Sequence, residues 1–210
     1  MLYIFDWDGT LLDSTAKIVS CMHKAIAEVG MPARTDDEAR NIIGLGLPEA
    51  IRQLFPAISD DALRALRDSY SSYFIAADKT PCDFFPHVEE VLHQLREQGH
   101  QLAVATGKSR RGLNRVLDNL NMQSYFDATR CADETASKPD PLMLEALLAE
   151  LNHEPKDAIM VGDTEFDLLM AQNAGIRGVG VSYGAHSVER LLACQPLACI
   201  DDFQDLLNLD

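Results

Sequence analysis

Basic residues are scarce in this 210-residue chain: 18 Lys and Arg stand against 33 Asp and Glu, for a formal net charge of −15 and a pI near 4.7. A chain so poor in cations lacks the basic stripe that neutralises a phosphate backbone, which excludes nucleic-acid binding as its main task. An anionic membrane surface is disfavoured for the same reason. No stretch approaches the roughly 20 consecutive apolar residues that span a bilayer. Met1 runs straight into Leu-Tyr-Ile-Phe and Asp6, without the positive n-region and long apolar segment of a secretion signal. A soluble, cytoplasmic protein is therefore expected, as a monomer or homodimer. The cysteines are few and scattered: Cys21, Cys82, Cys131, Cys194 and Cys199 include no C-x-x-C pair, which argues against a disulfide framework or a zinc site. They are expected to be reduced, mostly buried thiols. The six histidines (His23, His87, His93, His100, His153, His186) form no H-x-x-x-H pair and are expected in surface or packing positions. Internal repeats and low-complexity segments are also lacking.

What is present is ordinary globular material, 47% apolar, enough for one domain or one domain with an insertion. Short apolar runs end at polar or glycine-containing turns: Leu2 to Phe5, Leu102 to Ala105, Ala158 to Val161, Val179 to Val181 and Leu197 to Ile200. Such runs suit buried parallel strands, although periodicity alone does not separate them from buried helix. Amphipathic segments lie between them. Val88, Val91, Leu92 and Leu95 recur at helical spacing between Pro86 and Gly99, and Ser109 caps a second helix bearing Leu113, Val116, Leu117 and Leu120. Residues 141–151 and 165–174 read the same way. Strands alternating with helices predict an α/β fold, a Rossmann-like, doubly wound parallel sheet with helices on both faces.

Residues 14–81 break the alternation and read as helix throughout. Ile18, Met22, Ala25, Ile26 and Val29 form a stripe, Thr35 and Glu38 make a capping box before Ile42 and Ile43, and Leu63, Leu66, Tyr70, Tyr73 and Phe74 continue the pattern. The expected organisation is an α/β core of residues 1–13 and 82–210 with an inserted all-helical cap domain, 14–81, over the carboxyl edge of the sheet.

Polar residues that can do chemistry gather where the expected strands end. After the first strand comes Asp6-Trp7-Asp8-Gly9-Thr10, in which Asp6 suits a nucleophile and Asp8 a proton donor and acceptor. The same residues are also good turn formers. Alternation along the strand directs Trp7 away from both acids and into packing. After the second run, Thr106-Gly107 offers a hydroxyl and an open amide for phosphate oxygens. Lys138, in Ser137-Lys138-Pro139-Asp140-Pro141, offers an ammonium, and Asp163 with Asp167 makes a pair of acids suited to a hard cation such as Mg²⁺. Each of these alone is equally a loop or a helix cap. Lys108, Arg110 and Arg111 are read as a solvated helix start rather than an anion site.

Taken together in this order, the four motifs resemble the haloacid dehalogenase superfamily of phosphohydrolases, and the resemblance extends over essentially the whole chain, in the subgroup with a helical cap between the first and second motifs. It implies an Mg²⁺-dependent, phosphoglycolate phosphatase-like hydrolase acting on a small phosphorylated metabolite through an aspartyl-phosphate. It makes Asp6 the nucleophile and Asp8 the general acid/base, assigns Thr106, Gly107 and Lys138 to the phosphate, and gives the metal the Asp6 carboxylate, the Asp8 carbonyl and Asp163, with Asp167 in support. In this role Asp8 must give a proton to the leaving group and then take one from water, an exchange that a crowded carboxylate cluster, able to raise one pKa, can support. The cap loop Gly44-Leu45-Gly46 is expected to face the leaving group. Two alternatives stay open: a β-phosphoglucomutase-like mutase, which uses Asp6 and Asp8 alike, and a non-catalytic phosphoacceptor module.

Overall fold

The computed structural model describes residues 1–77 and 82–209. Among them six strands form one sheet: β1 (Leu2–Phe5), β2 (Gln101–Thr106), β3 (Ala128–Cys131), β4 (Ala158–Gly162), β5 (Arg177–Val181) and β6 (Ala198–Ile200). Their spatial order is β3-β2-β1-β4-β5-β6, and every neighbouring pair is parallel. Strand β1 is central, with Phe5 opposite Val104 on one side and Val161 on the other. From it the order runs outward through β2 in one direction and through β4 in the other. The carboxyl ends of β1 and β4 therefore flank the point where strand order reverses, the place where open α/β sheets leave a crevice.

The sheet is covered on both faces because its side chains alternate. Tyr3 and Phe5 pack with Val104, Val161 and the buried residues of α5 (Val88–Glu97) and α6 (Arg110–Asn119). Leu2 and Ile4 face the other way, against α7 (Leu142–Leu151) and α8 (Glu165–Asn173). The five strands expected from apolar runs are all present. Strand β3 was not expected, since Ala-Thr-Arg-Cys contains no apolar run. It is an edge strand, paired only with β2 and buried only at Ala128 and Cys131, so burial places no demand on its two middle positions.

Between β1 and α5 the chain forms α1 (Thr15–Glu28), α2 (Asp36–Arg40), α3 (Leu47–Leu54) and α4 (Asp60–Ala77). These helices share a core of their own, built around Met22, Ile26, Ile43, Ile51, Leu66 and Phe74. The Thr35–Glu38 capping box forms as expected. Unbroken helix does not: α2 stops at Arg40, and residues 41–46 turn instead, with Gly44 at φ +97°, a left-handed value that few other residues adopt. The expected boundary at residue 81 lies outside the described residues. A last helix, α9 (Val188–Ala193), lies beside β6. No helix among the described residues is long and apolar enough to cross a membrane, and all five cysteines are free thiols.

Candidate active site

Asp6 directly follows β1, and its N–H still donates to the Val161 carbonyl (2.9 Å), so the sheet fixes its direction. Trp7 turns away into the core, edge-on to Phe84 and Phe126. At the end of β4 come Asp163 and then α8, whose first turn carries Asp167. Carboxylate oxygens of Asp6, Asp163 and Asp167 lie within 4.8 Å of one another, and all three residues are buried. The loop before α7 brings in Lys138, 2% exposed, whose Nζ donates to Asp167 Oδ1 (2.6 Å) and stands 2.7 Å from Asp6 Oδ1. Asp163 accepts from the Thr10 hydroxyl (2.9 Å) and the Ala185 N–H (2.7 Å). Space for it comes from Gly9, at φ +82°, where a Cβ would sit 2.3 Å from Asp163 Oδ2. Asp167 Oδ2 is held by the Thr164 hydroxyl at 2.7 Å.

Three buried carboxylates share one ammonium, so fully ionised they leave the cluster two charges short of neutral. Burying unpaired charge is costly, and that cost favours the protonated forms of Asp6 and Asp163. Burial pushes the Asp6 carboxyl well above its usual range; Lys138 opposes that shift, while Asp167 and Asp163 add to it. Burial, reinforced by Asp167, raises Asp163 to about 7. Burial works against the Lys138 ammonium, but Asp167 and Asp6 outweigh it and hold its pKa up. Neither Asp6 oxygen has an aligned hydrogen bond, although the Lys138 ion contact is close. An all-oxygen, under-compensated donor set with unsatisfied lone pairs fits a hard divalent cation.

Asp8 is not one of the three clustered acids. Its Oδ1 accepts from the Ser14 hydroxyl at 2.6 Å, and its Oδ2 faces Lys108 Nζ at 2.8 Å. That contact corrects the reading of Lys108 as solvated: its side chain is only 11% exposed. The basic trio divides. Arg110 pairs with Glu134, while Lys108 and Arg111 line a cavity of about 550 Å³ between the sheet edge and the helices α1, α3 and α4.

The cavity wall includes Asp6, Asp8, Thr106, Gly107 and the loop Gly44-Leu45-Gly46. Lys138, Asp163 and Asp167 do not line the cavity, although Lys138 contacts Asp6. Thr106 is buried, and its Oγ1 accepts the Lys108 N–H (3.2 Å). Gly107 permits contact between sheet and loop, since a Cβ there would come within 2.5 Å of the Gly44 and Leu45 carbonyls. The loop is fastened by the Gly46 N–H donating to Ser137 Oγ (2.8 Å), and Asn41 by Arg190 and His186 from the sheet side. His186 is thus a buried bridge between the two parts. Sequence reasoning set Lys108 aside as solvated and gave no site role to Ser14, Arg190 or the cavity-lining Arg67, Tyr70 and Arg115. Arg67 and Tyr70, three apart on α4, carried a signal in their shared helix face, but nothing in the sequence showed which partner that face meets.

Residues 3–181 match the family model described as haloacid dehalogenase-like hydrolase. The chain belongs to that family. The protein named "Probable phosphatase IndB" of Dickeya dadantii is 36% identical over 211 residues, covering 99% of this chain and 92% of its own. A phosphoglycolate phosphatase of Vibrio vulnificus is 30% identical, covering 99% and 95%. The crystal structure of a haloacid dehalogenase-like hydrolase from Bacteroides fragilis superposes with a TM-score of 0.90 at 28% identity, covering 98% of each chain. This haloacid dehalogenase-like chain is a phosphoric monoester hydrolase with the parallel α/β core expected from its sequence.

Proposed function

We propose that the enzyme is an Mg²⁺-dependent phosphatase of a small phosphorylated metabolite, of the phosphoglycolate or sugar-phosphate class, working through an aspartyl-phosphate on Asp6. One observation carries the reading. Asp6 is buried with no aligned hydrogen bond to either carboxylate oxygen, it belongs to the cavity wall, and its carboxylate clusters with Asp163, Asp167 and Lys138, which do not line that cavity. An Asp6 oxygen attacks phosphorus, the P–O ester bond breaks, and the leaving alkoxide takes a proton from Asp8. Asp8 then removes a proton from water, whose oxygen attacks phosphorus and releases inorganic phosphate and the Asp6 carboxylate. Thr106 supplies a hydroxyl and Gly107 an amide to the phosphoryl oxygens, and Lys138 offsets the negative charge that gathers on Asp6 and the transferring group. When bound, Mg²⁺ would be held by the Asp6 carboxylate, the Asp8 carbonyl and Asp163, supported by Asp167, and would neutralise phosphoryl charge. Residues 14–81 act as the cap on a core of 1–13 and 82–210. The curated relatives named above are phosphatases, which favours water over a sugar hydroxyl as the final acceptor. The deciding assay is Mg²⁺-dependent release of phosphate from an aryl phosphate, followed by kcat/KM across a metabolite panel. No release with any divalent cation would overturn the reading.

Two further outcomes follow from the geometry. Mg²⁺ should raise the Tm of the wild type, since it binds the folded acid cluster and not the unfolded chain, by the equivalent of roughly 2–3 kcal/mol at a hundredfold excess over Kd. Asp163→Asn should lose that response. An unchanged wild-type Tm across a Mg²⁺ titration would refute the metal site. At the loop, a Cβ on Gly46 would meet Glu49 Oε2 at 2.6 Å, Ala132 Cβ at 3.2 Å and Ser137 Cβ at 3.4 Å. Gly46→Val should therefore lift the loop off the sheet edge and reorder the substrate panel while sparing a small unselective ester. Equal losses on every substrate would count against selection by this loop.

A further inference from the structure

Lys108, which lines the cavity, has a carboxylate of the proposed machinery as its partner. Its Nζ lies 2.8 Å from Asp8 Oδ2 and, on another side, 4.6 Å from the ring centroid of Phe74 on α4. Phe74 is itself 8% exposed and belongs to the helical core rather than to the sheet. A carboxylate just after β1, an ammonium and an aromatic ring of α4 thus meet at the cavity wall. Both neighbours attract the ammonium, the carboxylate by charge and the ring by its negative face. With Ser14 on Asp8 Oδ1, the Lys108 contact occupies the second oxygen, so the carboxylate is fixed in rotation by two groups.

From this arrangement we propose that Lys108 is a positioning residue: it holds the Asp8 carboxylate in its working orientation and makes that orientation depend on Phe74, and so on where α4 sits over the cavity. The inference rests on the reading of Asp8 as the general acid and base. Lys108 forms no bond to the reacting phosphoryl group in this role; it acts through Asp8. The consequence is that an enzyme with its helical cap displaced has a misaligned Asp8, which restricts proton transfer to the closed state.

The test is a double-mutant cycle of Lys108→Met and Phe74→Leu, with Lys108→Arg as the conservative variant and Asp8→Asn as the reference. It is run with Mg²⁺ on para-nitrophenyl phosphate and on an alkyl phosphate with a poor leaving group. Lys108→Met should lower kcat on the alkyl ester by roughly 10-fold, part of the 10²–10⁴ that acid–base catalysis supplies, with a small effect on KM and on the aryl ester. Lys108→Arg should recover part of that loss. Phe74→Leu should act in the same direction in the wild type and have little effect in the Lys108→Met background, because it works through the lysine. A rise in KM alone, equal for both esters, would overturn the proposal and make Lys108 a ground-state anion contact. Additive effects of the two substitutions would overturn the dependence on Phe74. Wild-type leaving-group dependence in Asp8→Asn would overturn the acid–base reading itself, a failure distinguishable from that of Lys108. Circular dichroism of each variant shows whether a loss reflects misfolding, and the recovery by Lys108→Arg must hold in folded protein for the proposal to stand.

Discussion

Asp6→Asn protein should fold, show no detectable turnover, and in metal-free buffer melt at a higher temperature than the wild type. The substitution keeps the shape of the side chain and removes the charge that attacks phosphorus in the proposed mechanism, which would end chemistry at its first step. It also removes one of three carboxylates that share a single ammonium at full burial, and relieves part of an uncompensated charge. The pH dependence has a definite sign. Because burial lifts the folded Asp6 pKa above its ordinary 3.8, ionisation costs stability as pH rises past that value, and the cost is fully present only above the folded pKa. The gain in Tm should thus be larger at neutral pH than near pH 4, at roughly 2–4 °C for each kcal/mol relieved in a chain of this size. Calorimetry with and without Mg²⁺ checks it, and the ranking should narrow or reverse when Mg²⁺ is added, since the wild type gains more from the cation. Folded Asp6→Asn protein with more than a trace of wild-type activity would remove Asp6 from the nucleophile's role. A lower metal-free Tm would show that the cluster is not strained by its charge.

Asp8→Ala should instead separate metal binding from proton transfer. The Asp8 side chain is turned to Ser14 and Lys108, away from the three clustered acids, and its proposed contribution to the metal is a main-chain oxygen that alanine retains. The Mg²⁺-induced rise in Tm should therefore survive in Asp8→Ala while it is lost in Asp163→Asn. Turnover of esters with poor leaving groups should fall by on the order of 10²-fold or more, as expected for loss of a general acid and base. An activated aryl ester needs less protonation of its leaving group and should suffer less in the first step. Rates at wild-type level on both esters would sink the acid–base assignment. Loss of the Mg²⁺ response together with activity would show that the carboxylate itself holds the cation.

The sequence carried the chemistry-bearing residues because their chain positions are also fold positions. Apolar runs fix where strands end, and in a parallel sheet all carboxyl ends lie on one edge, so Asp6, Thr106 and Asp163 were bound to converge once the runs were read correctly. Lys138 was legible from its place before a helix, although its depth of burial was not. Strand β3 stayed hidden because an edge strand with two half-exposed positions has no need of an apolar run. The end of α2 at Arg40 was missed for a related reason: Ile42 and Ile43 are buried from a turn as well as they would be from a helix. Polar contacts between the helices and the sheet left no local trace at all. Lys108 reads in sequence as one cation of a basic helix start, and only its place between Asp8 and Phe74 gives it a different use. The same holds for Asn41, Arg190 and His186, which are separated by about 145 residues or more of chain across the contact they make.

By itself, then, the order of apolar runs and strand-end motifs determined the parallel α/β core, the family and the set of candidate reacting groups, since local periodicity and the geometry of parallel strands suffice for those. Tertiary structure alone decided that three carboxylates share one ammonium, that Asp8 stands apart from them against Lys108, and that the loop 44–46 lies on Gly107 at the cavity wall. Burial and through-space charge set those features, and both depend on segments that are distant in sequence and adjacent only after folding.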